Sequence, residues 1–279
     1  GYKLMFLSDC YLFNNVDLNK AKEKLDSSLK MFKQTNNKNG EGQIFVKIGN
    51  YYNIQDRDEE AKNCYEEALK ILGEMNDGAY WKAAINNNIG NILSKNEKYE
   101  DAKEKYSEAL KDSNDYLKSE AFLNLGNVYR RQEKFEDALD MYGACIDNVE
   151  GGKYPLVNLL IERMAAIGLA NTYLEMKPTR FTEAIHNYTR SYNVMKELRN
   201  KRGMCIARMN IGTVHCMHRE FKEAFEIYEE IIKMASDIED RLLECTIQMN
   251  MGNAKRGMKE YNDAKKYYED AIDNYNKNI

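Results

Sequence analysis

Asparagine stands at fixed distances from a recurring small residue in this 279-residue chain. Asn50, Asn91, Asn127 and Asn253 each directly follow a glycine, and Asn171 follows Ala170. Asn88, Asn124, Asn210 and Asn250 each lie two residues before a glycine. A primary amide offers two donors and an acceptor. A row of them can therefore hydrogen-bond the backbone of an extended peptide at regular intervals. Basic residues gather at related positions: Lys47 and Arg208 shortly before the small residue, Lys95, Arg130, Arg131 and Arg256 four or five after it. Such cations suit a partner that carries carboxylates, through charge-assisted bonds. Plainer readings stand beside both: a chain simply rich in asparagine, and solvated charge on helix faces, with Glu120 and Glu175 among the cations.

Catalytic chemistry finds little material. His186, His215 and His218 are the only histidines. His215 and His218 are three apart, a permissible zinc spacing on one helical turn, but packing and a helix end account for them more simply. Cys10, Cys64, Cys145, Cys205, Cys216 and Cys245 form no CxxC and match no zinc framework. Reduced thiols point to a cytoplasmic or nuclear setting, the cytoplasm being the location expected, with Cys205 and Cys245 read as core. Glu59-Glu60 and Glu229-Glu230 read as helix-surface charge. No catalytic residue, metal or cofactor is expected, and the chain reads as a non-enzyme. With 41 Lys and Arg against 45 Asp and Glu, there is no basic field for nucleic acid. No apolar run approaches the ~20 residues of a spanning helix. The start, Tyr2 to Leu7, is too short for a signal peptide. An opening on Gly1 rather than methionine suggests a piece of a longer protein.

The elements that must position these residues are helices. Only 2 residues are proline, and Lys, Glu, Ala, Leu and Met abound. Two linked phrases recur. The first is a small residue inside an apolar stretch, as in Ile48-Gly49-Asn50-Tyr51, Ile89-Gly90-Asn91-Ile92 and Leu125-Gly126-Asn127-Val128. Ile211-Gly212-Thr213-Val214, Met251-Gly252-Asn253-Ala254 and the variant Leu169-Ala170-Asn171-Thr172 continue it. The second is aromatic, Ala three later, Tyr four after that: Tyr99/Ala102/Tyr106, Phe135/Ala138/Tyr142, Phe181/Ala184/Tyr188, Phe221/Ala224/Tyr228 and Tyr261/Ala264/Tyr268. The alanines, from Ala21 to Ala264, are spaced by 40, 41, 36, 46, 40 and 40 residues. Residues three and four apart share a helix face, so each repeat predicts two antiparallel helices. A small residue on the first permits close approach of the second. A valine at Gly126 is expected to destabilise strongly, an alanine at Gly151 or Gly152 far less. A single pair cannot bury its outer face, so pairs must stack.

This pattern resembles the tetratricopeptide repeat over nearly the whole chain. The period near forty exceeds that family's usual ~34 residues, and the proline that often closes its second helix is absent. The phrases around Gly49 and Gly126 are most similar to the long-repeat Pins/LGN type, with kinesin light chains and rapsyn more distant. The resemblance implies an all-α fold, a right-handed α-solenoid of about seven antiparallel helix pairs. The pairs fall at about 1–33, 40–75, 78–113, 116–149, 155–199, 202–236 and 240–278, in one continuous solenoid. First helices would line a concave groove, and the resemblance implies that its asparagines hold an extended partner segment.

The function expected is an interaction scaffold or adaptor that binds an extended or helical segment of another protein. One alternative is a structural subunit of a cytoskeletal or ciliary assembly, suggested by Asn-, Lys- and Tyr-rich usage and by the apolar last helix. Another is a peptide-sensing regulator. Trp81 and the methionines Met204, Met209, Met234, Met249 and Met251 read mainly as core. The fifth pair is irregular: Ala replaces its glycine, the distance to the next alanine grows from 12 to 14, and Pro155 and Pro178 bracket its first helix.

Overall fold

The computed structural model describes residues 2, 3, 5, 18–111, 115–149 and 155–276. Most of the expected first helix of the first pair lies outside these residues, as do Cys10, Gly151 and Gly152. The described residues form thirteen long α-helices and no strand. In chain order they are α1 (Leu18–Gln34), α2 (Lys38–Ile54), α3 (Asp58–Leu72), α4 (Gly78–Lys95), α5 (Tyr99–Lys111) and α6 (Asp115–Arg131). There follow α7 (Phe135–Val149), α8 (Pro155–Glu175), α9 (Phe181–Glu197), α10 (Lys201–Met217), α11 (Phe221–Asp237), α12 (Arg241–Gly257) and α13 (Tyr261–Asn276). The fold is the all-α arrangement of consecutive helix pairs that the repeat arithmetic predicts.

The chain divides into two compact units, Gly1–Val128 and Tyr129–Ile279. In the first, α1 packs on α2, α2 on α3, α3 on α4 and α4 on α5. Leu117 and Ala121 of α6 join Ala83 and Ala109 in one buried cluster. In the second unit each helix from α7 to α13 packs on the next, and α10 also touches α12. The alanine opening each second helix is fully or nearly fully buried, from Ala21 and Ala61 to Ala224 and Ala264. Tyr65, Tyr106, Tyr142 and Tyr228 are among the largest fully buried side chains. In the degenerate first repeat Leu25 occupies the tyrosine slot and is also fully buried.

The turns within pairs share one device. After α2, α4, α6, α10 and α12 one residue takes the left-handed conformation: Asp56 (φ 57°), Glu97 (φ 59°), Glu133 (φ 58°), Arg219 (φ 65°) and Lys259 (φ 66°). The next N–H closes the helix end, as Arg57 N–H to Tyr52 O at 3.0 Å and Lys98 N–H to Leu93 O at 2.9 Å. The fifth pair departs from this. Two added residues lengthen its turn, no residue there has positive φ, and closure runs from Arg180 N–H to Tyr173 O at 3.0 Å. Pro155 opens α8 at the first helical position, where its missing N–H does no harm. Between pairs, Asn37, Asn200 and Asp240 cap the next helix, accepting from Gly40, Gly203 and Leu243 N–H.

Two packing expectations need correction. Trp81 is half-buried rather than core, and its indole N–H reaches the Asp77 carboxylate at 2.8 Å. Met251 is buried, but Met249 is 54% exposed. All five described cysteines are free thiols. Burial pushes Cys64, Cys205, Cys216 and Cys245 up from the usual thiol range.

Candidate functional site

The site is built from three positions per pair: the small residue, the asparagine after it and the tyrosine of the second helix. A Cβ placed on Gly49 or Gly90 would lie 2.6 Å from a ring carbon of Tyr65 or Tyr106. At Gly212 and Gly252 the distances to Tyr228 and Tyr268 are 2.6 and 2.5 Å. The ring thus lies where any other residue's side chain would begin. That seat brings the phenol hydroxyl to the next residue. Tyr65 and Tyr106 O–H donate to Asn50 and Asn91 Oδ1, both at 2.7 Å. Tyr188 donates to Asn171 Oδ1 at 2.5 Å and Tyr268 to Asn253 Oδ1 at 2.9 Å. In the sixth pair Thr213 replaces asparagine, and its hydroxyl lies 3.4 Å from Tyr228 O. Burial pushes the hydroxyls of Tyr65, Tyr188 and Tyr228 up from the usual tyrosine range, so they remain protonated donors.

The consequence is a fixed polarity. An amide whose oxygen is held by a hydroxyl turns its NH2 the other way, as a two-proton donor. Asn50, Asn91 and Asn171 are half-exposed and Asn253 is exposed, so those donors are open to an incoming acceptor. Asn127 occupies the same slot on α6 and is half-buried. The asparagines two residues earlier, Asn88, Asn124, Asn210 and Asn250, are also half-buried. Asn124 Nδ2 is buried and has no hydrogen-bond partner among the described residues. Beside Asn88, Asn86 and Asn87 turn inward instead: both are buried, and Asn87 Nδ2 donates to Leu117 O at 3.3 Å. The uninterrupted run Asn86-Asn87-Asn88 was the signal for this, since three successive residues on a helix cannot share one face.

Several cations predicted at the lip are already engaged. Arg130 pairs with Glu175 at 2.5 Å and also hydrogen-bonds Tyr142. Arg208 pairs with Glu230 at 2.5 Å. Lys95 holds Asp56 and Asp58 at 2.7 and 2.9 Å. Burial pushes the Asp58 carboxyl up, but the bonds from Lys95 and Asn96 outweigh it and hold it below the usual range. Lys47 is half-buried, while Arg131 and Arg256 are exposed. Arg130, Arg131, Glu175 and Lys177 border a cleft of about 620 Å³ within the second unit. His215 and His218 both turn a ring nitrogen to the single carboxylate of Glu220, at 2.7 and 2.9 Å. Among the described residues no three His, Cys, Asp or Glu side chains are placed to hold a metal ion.

Two features have no counterpart in the repeat phrases. Gly168, two residues before the small slot of the fifth pair, meets Tyr142: a Cβ there would lie 2.5 Å from that ring. The start of α8 also exposes Leu156 (68%), Leu160 (47%) and Met164 (48%), one apolar stripe on a single helix face.

A tetratricopeptide repeat model matches residues 81–150 and 203–277, more than half of the chain, and a second matches 42–71. The chain belongs to the tetratricopeptide repeat family. No curated protein sequence matches it significantly. Among solved structures, the apo form of RapI is similar at 14% identity and TM-score 0.66, covering 99% of this chain and 97% of that one. A signal transduction ATPase with a tetratricopeptide repeat sensor, from Pyrococcus horikoshii, gives TM-score 0.75 at 15% identity. That match covers 97% of this chain and 42% of the ATPase. A Rap protein complexed with Competence and Sporulation Factor gives TM-score 0.57 at 13% identity, over 92% of this chain and 84% of that one. At these identities the likeness is one of fold. No helix among the described residues is long and apolar enough to cross a membrane.

Proposed function

We propose that the chain is a non-enzymatic interaction scaffold that binds an extended segment of another protein along the face carrying Asn50, Asn91, Asn127, Asn171 and Asn253. The observation that carries this reading is the tyrosine-to-asparagine hydrogen bond, made in four pairs. It presents amide donors at the repeat interval, and backbone carbonyls of an extended segment are acceptors at regular intervals. Asn88, Asn124, Asn210 and Asn250 would extend the row. Arg131 and Arg256, exposed beside it, favour a segment with carboxylates. The exposed stripe of Leu156, Leu160 and Met164 favours one apolar side chain among them. The asparagine placement supports the Pins/LGN type of long repeat.

The test is a partner recovered by affinity capture from the native cell, titrated against the chain with Asn91, Asn127 and Asn253 replaced by Ala. Affinity should fall by about 1 kcal/mol per hydrogen bond lost, with helicity unchanged. Equal affinity would sink the donor row. A second reading, a peptide-sensing regulator, draws support from the fold shared with a tetratricopeptide repeat sensor and with a Rap protein complexed with Competence and Sporulation Factor. A bound peptide that changes the chain's affinity for a second protein would favour it.

A further inference from the structure

One carboxyl on the asparagine face has no partner. Glu120, Asn124 and Asn127 stand at i, i+4 and i+7 of α6, so they share one side of the helix. Glu120 is half-buried. Other carboxylates with little exposure each hold a cation: Glu41 with Lys38 at 2.9 Å, Asp58 with Lys95 at 2.9 Å, Glu162 with Arg190 at 2.7 Å and Asp240 with Arg202 at 2.6 Å. Glu120 makes no ion pair or hydrogen bond among the described residues. Lys118, two residues earlier, stands on another side of the helix. Burial is the only influence on the Glu120 carboxyl, so no described charge of either sign stands close to it. One turn on, Asn124 Nδ2 is also buried without a partner.

An unpaired, half-buried carboxyl works against folding, because burial disfavours its charged form and nothing offsets that. The other repeats have no such group. The slot six residues before the small one holds Gln43, Ala84, Met164, Ile206 and Thr246 elsewhere, none of which ionises. A residue that opposes stability on a binding face is explained when a ligand supplies its missing partner. What a carboxylate lacks is a cation with N–H donors, and a lysine or arginine side chain carries both. Such a cation would restore the charged form. The Asn124 amide, on a half-buried residue, can then turn its NH2 to a main-chain carbonyl of the same segment. We propose that Glu120 selects a lysine or arginine side chain of the bound segment at the position lying across α6. Arg131 and Arg256 favour carboxylates at other positions, so the segment carries both signs. The proposal rests on the reading of the asparagine row as the binding face and adds the chemistry of one residue of the partner.

The probe is a phage-displayed library of random peptides selected on the full chain. Selected peptides are synthesised and titrated by fluorescence anisotropy. Those that weaken when the chain carries Asn91→Ala, Asn127→Ala and Asn253→Ala together lie on the asparagine face. Among these, a lysine or arginine is expected at one fixed position. Replacing it by norleucine should weaken binding to the parent chain about tenfold or more and leave binding to Glu120→Gln little changed. Lysine and arginine versions of each peptide show which cation fits. Selection on Glu120→Lys should favour aspartate or glutamate at that position instead. Glu120→Gln removes an uncompensated carboxyl, so circular dichroism and melting should show it fully folded. Asparagine-dependent peptides without a basic position, or a basic position indifferent to Glu120→Gln, overturn this proposal and leave the asparagine row standing. No asparagine-dependent peptide at all overturns the row, and this proposal with it.

Discussion

The α4–α5 pair and the α8–α9 pair solve one problem with different parts. In the first, a twelve-residue step from Gly90 to Ala102 spans a turn with one left-handed residue, Glu97, and Tyr106 lies across the glycine. In the second, the step is fourteen, the turn has no left-handed residue, and alanine stands in the small slot. Yet the hydroxyl-to-amide bond survives: Tyr106 to Asn91 at 2.7 Å and Tyr188 to Asn171 at 2.5 Å, across separations of 15 and 17 residues. The bond is therefore no by-product of turn length. The lengthened turn re-registers α9 on α8 so that the tyrosine still meets its asparagine. The glycine contact of that region has moved to Gly168, against Tyr142 of the preceding helix.

Substitutions can break this comparison, beginning with the largest effect. Gly90→Val puts a branched side chain into the Tyr106 ring and should cost about 1–3 kcal/mol or more in urea unfolding. Gly168→Val should cost as much through Tyr142, whereas Gly143→Ala, with nothing within 4 Å of its new Cβ, should gain about 0.5–1 kcal/mol. An innocuous Gly90→Val would refute the tyrosine seat. Next, Tyr106→Phe and Tyr188→Phe should each lose about 0.5–1.5 kcal/mol, while Tyr228→Phe, facing Thr213 at 3.4 Å, should lose less. A marked difference between the first two would mean that the long turn supports its pair differently. Glu97→Gly relieves a left-handed φ and should raise the melting temperature, by up to about 1 kcal/mol of stability. Thr179→Gly in the long turn should gain nothing.

The smallest effect concerns a slot six residues before the small one, held by Glu120 on α6 and Met164 on α8. Burial alone pushes the Glu120 carboxyl up from the usual glutamate range. The folded state then holds a proton that the unfolded state has released, so stability falls as pH rises through that window. Glu120→Gln should be the more stable form at neutral pH and should converge with the parent below the unfolded glutamate pKa of about 4.3. Melting curves at both pH values check the sign.

The helix pairs were legible because their determinants are local and steric: glycine, alanine and tyrosine at fixed helical spacing leave one way to pack. The positions of the asparagines were legible for the same reason. Their polarity was not, because it depends on a hydroxyl 15 residues away whose direction only the packed ring fixes. The cations were harder still. Arg130 and Arg208 look like any other groove-side cation in sequence, yet they meet Glu175 and Glu230 on other helices. Gly168 stands outside the repeat phrases because it answers to the preceding helix rather than to its own pair.

The five described cysteines have a consequence for how the protein comes apart. They sit on α3, α7, α10 and α12, as free thiols, and burial holds four of them above the usual thiol range. Cys145, Cys205 and Cys245 are buried, so a thiol reagent can reach each of these three only when its own helices separate. Mass-resolved labelling would thus time the opening of each region in an unmodified chain. Repeat proteins owe their stability to nearest neighbours, so the order in which the buried Cys145, Cys205 and Cys245 react would reveal where unravelling begins.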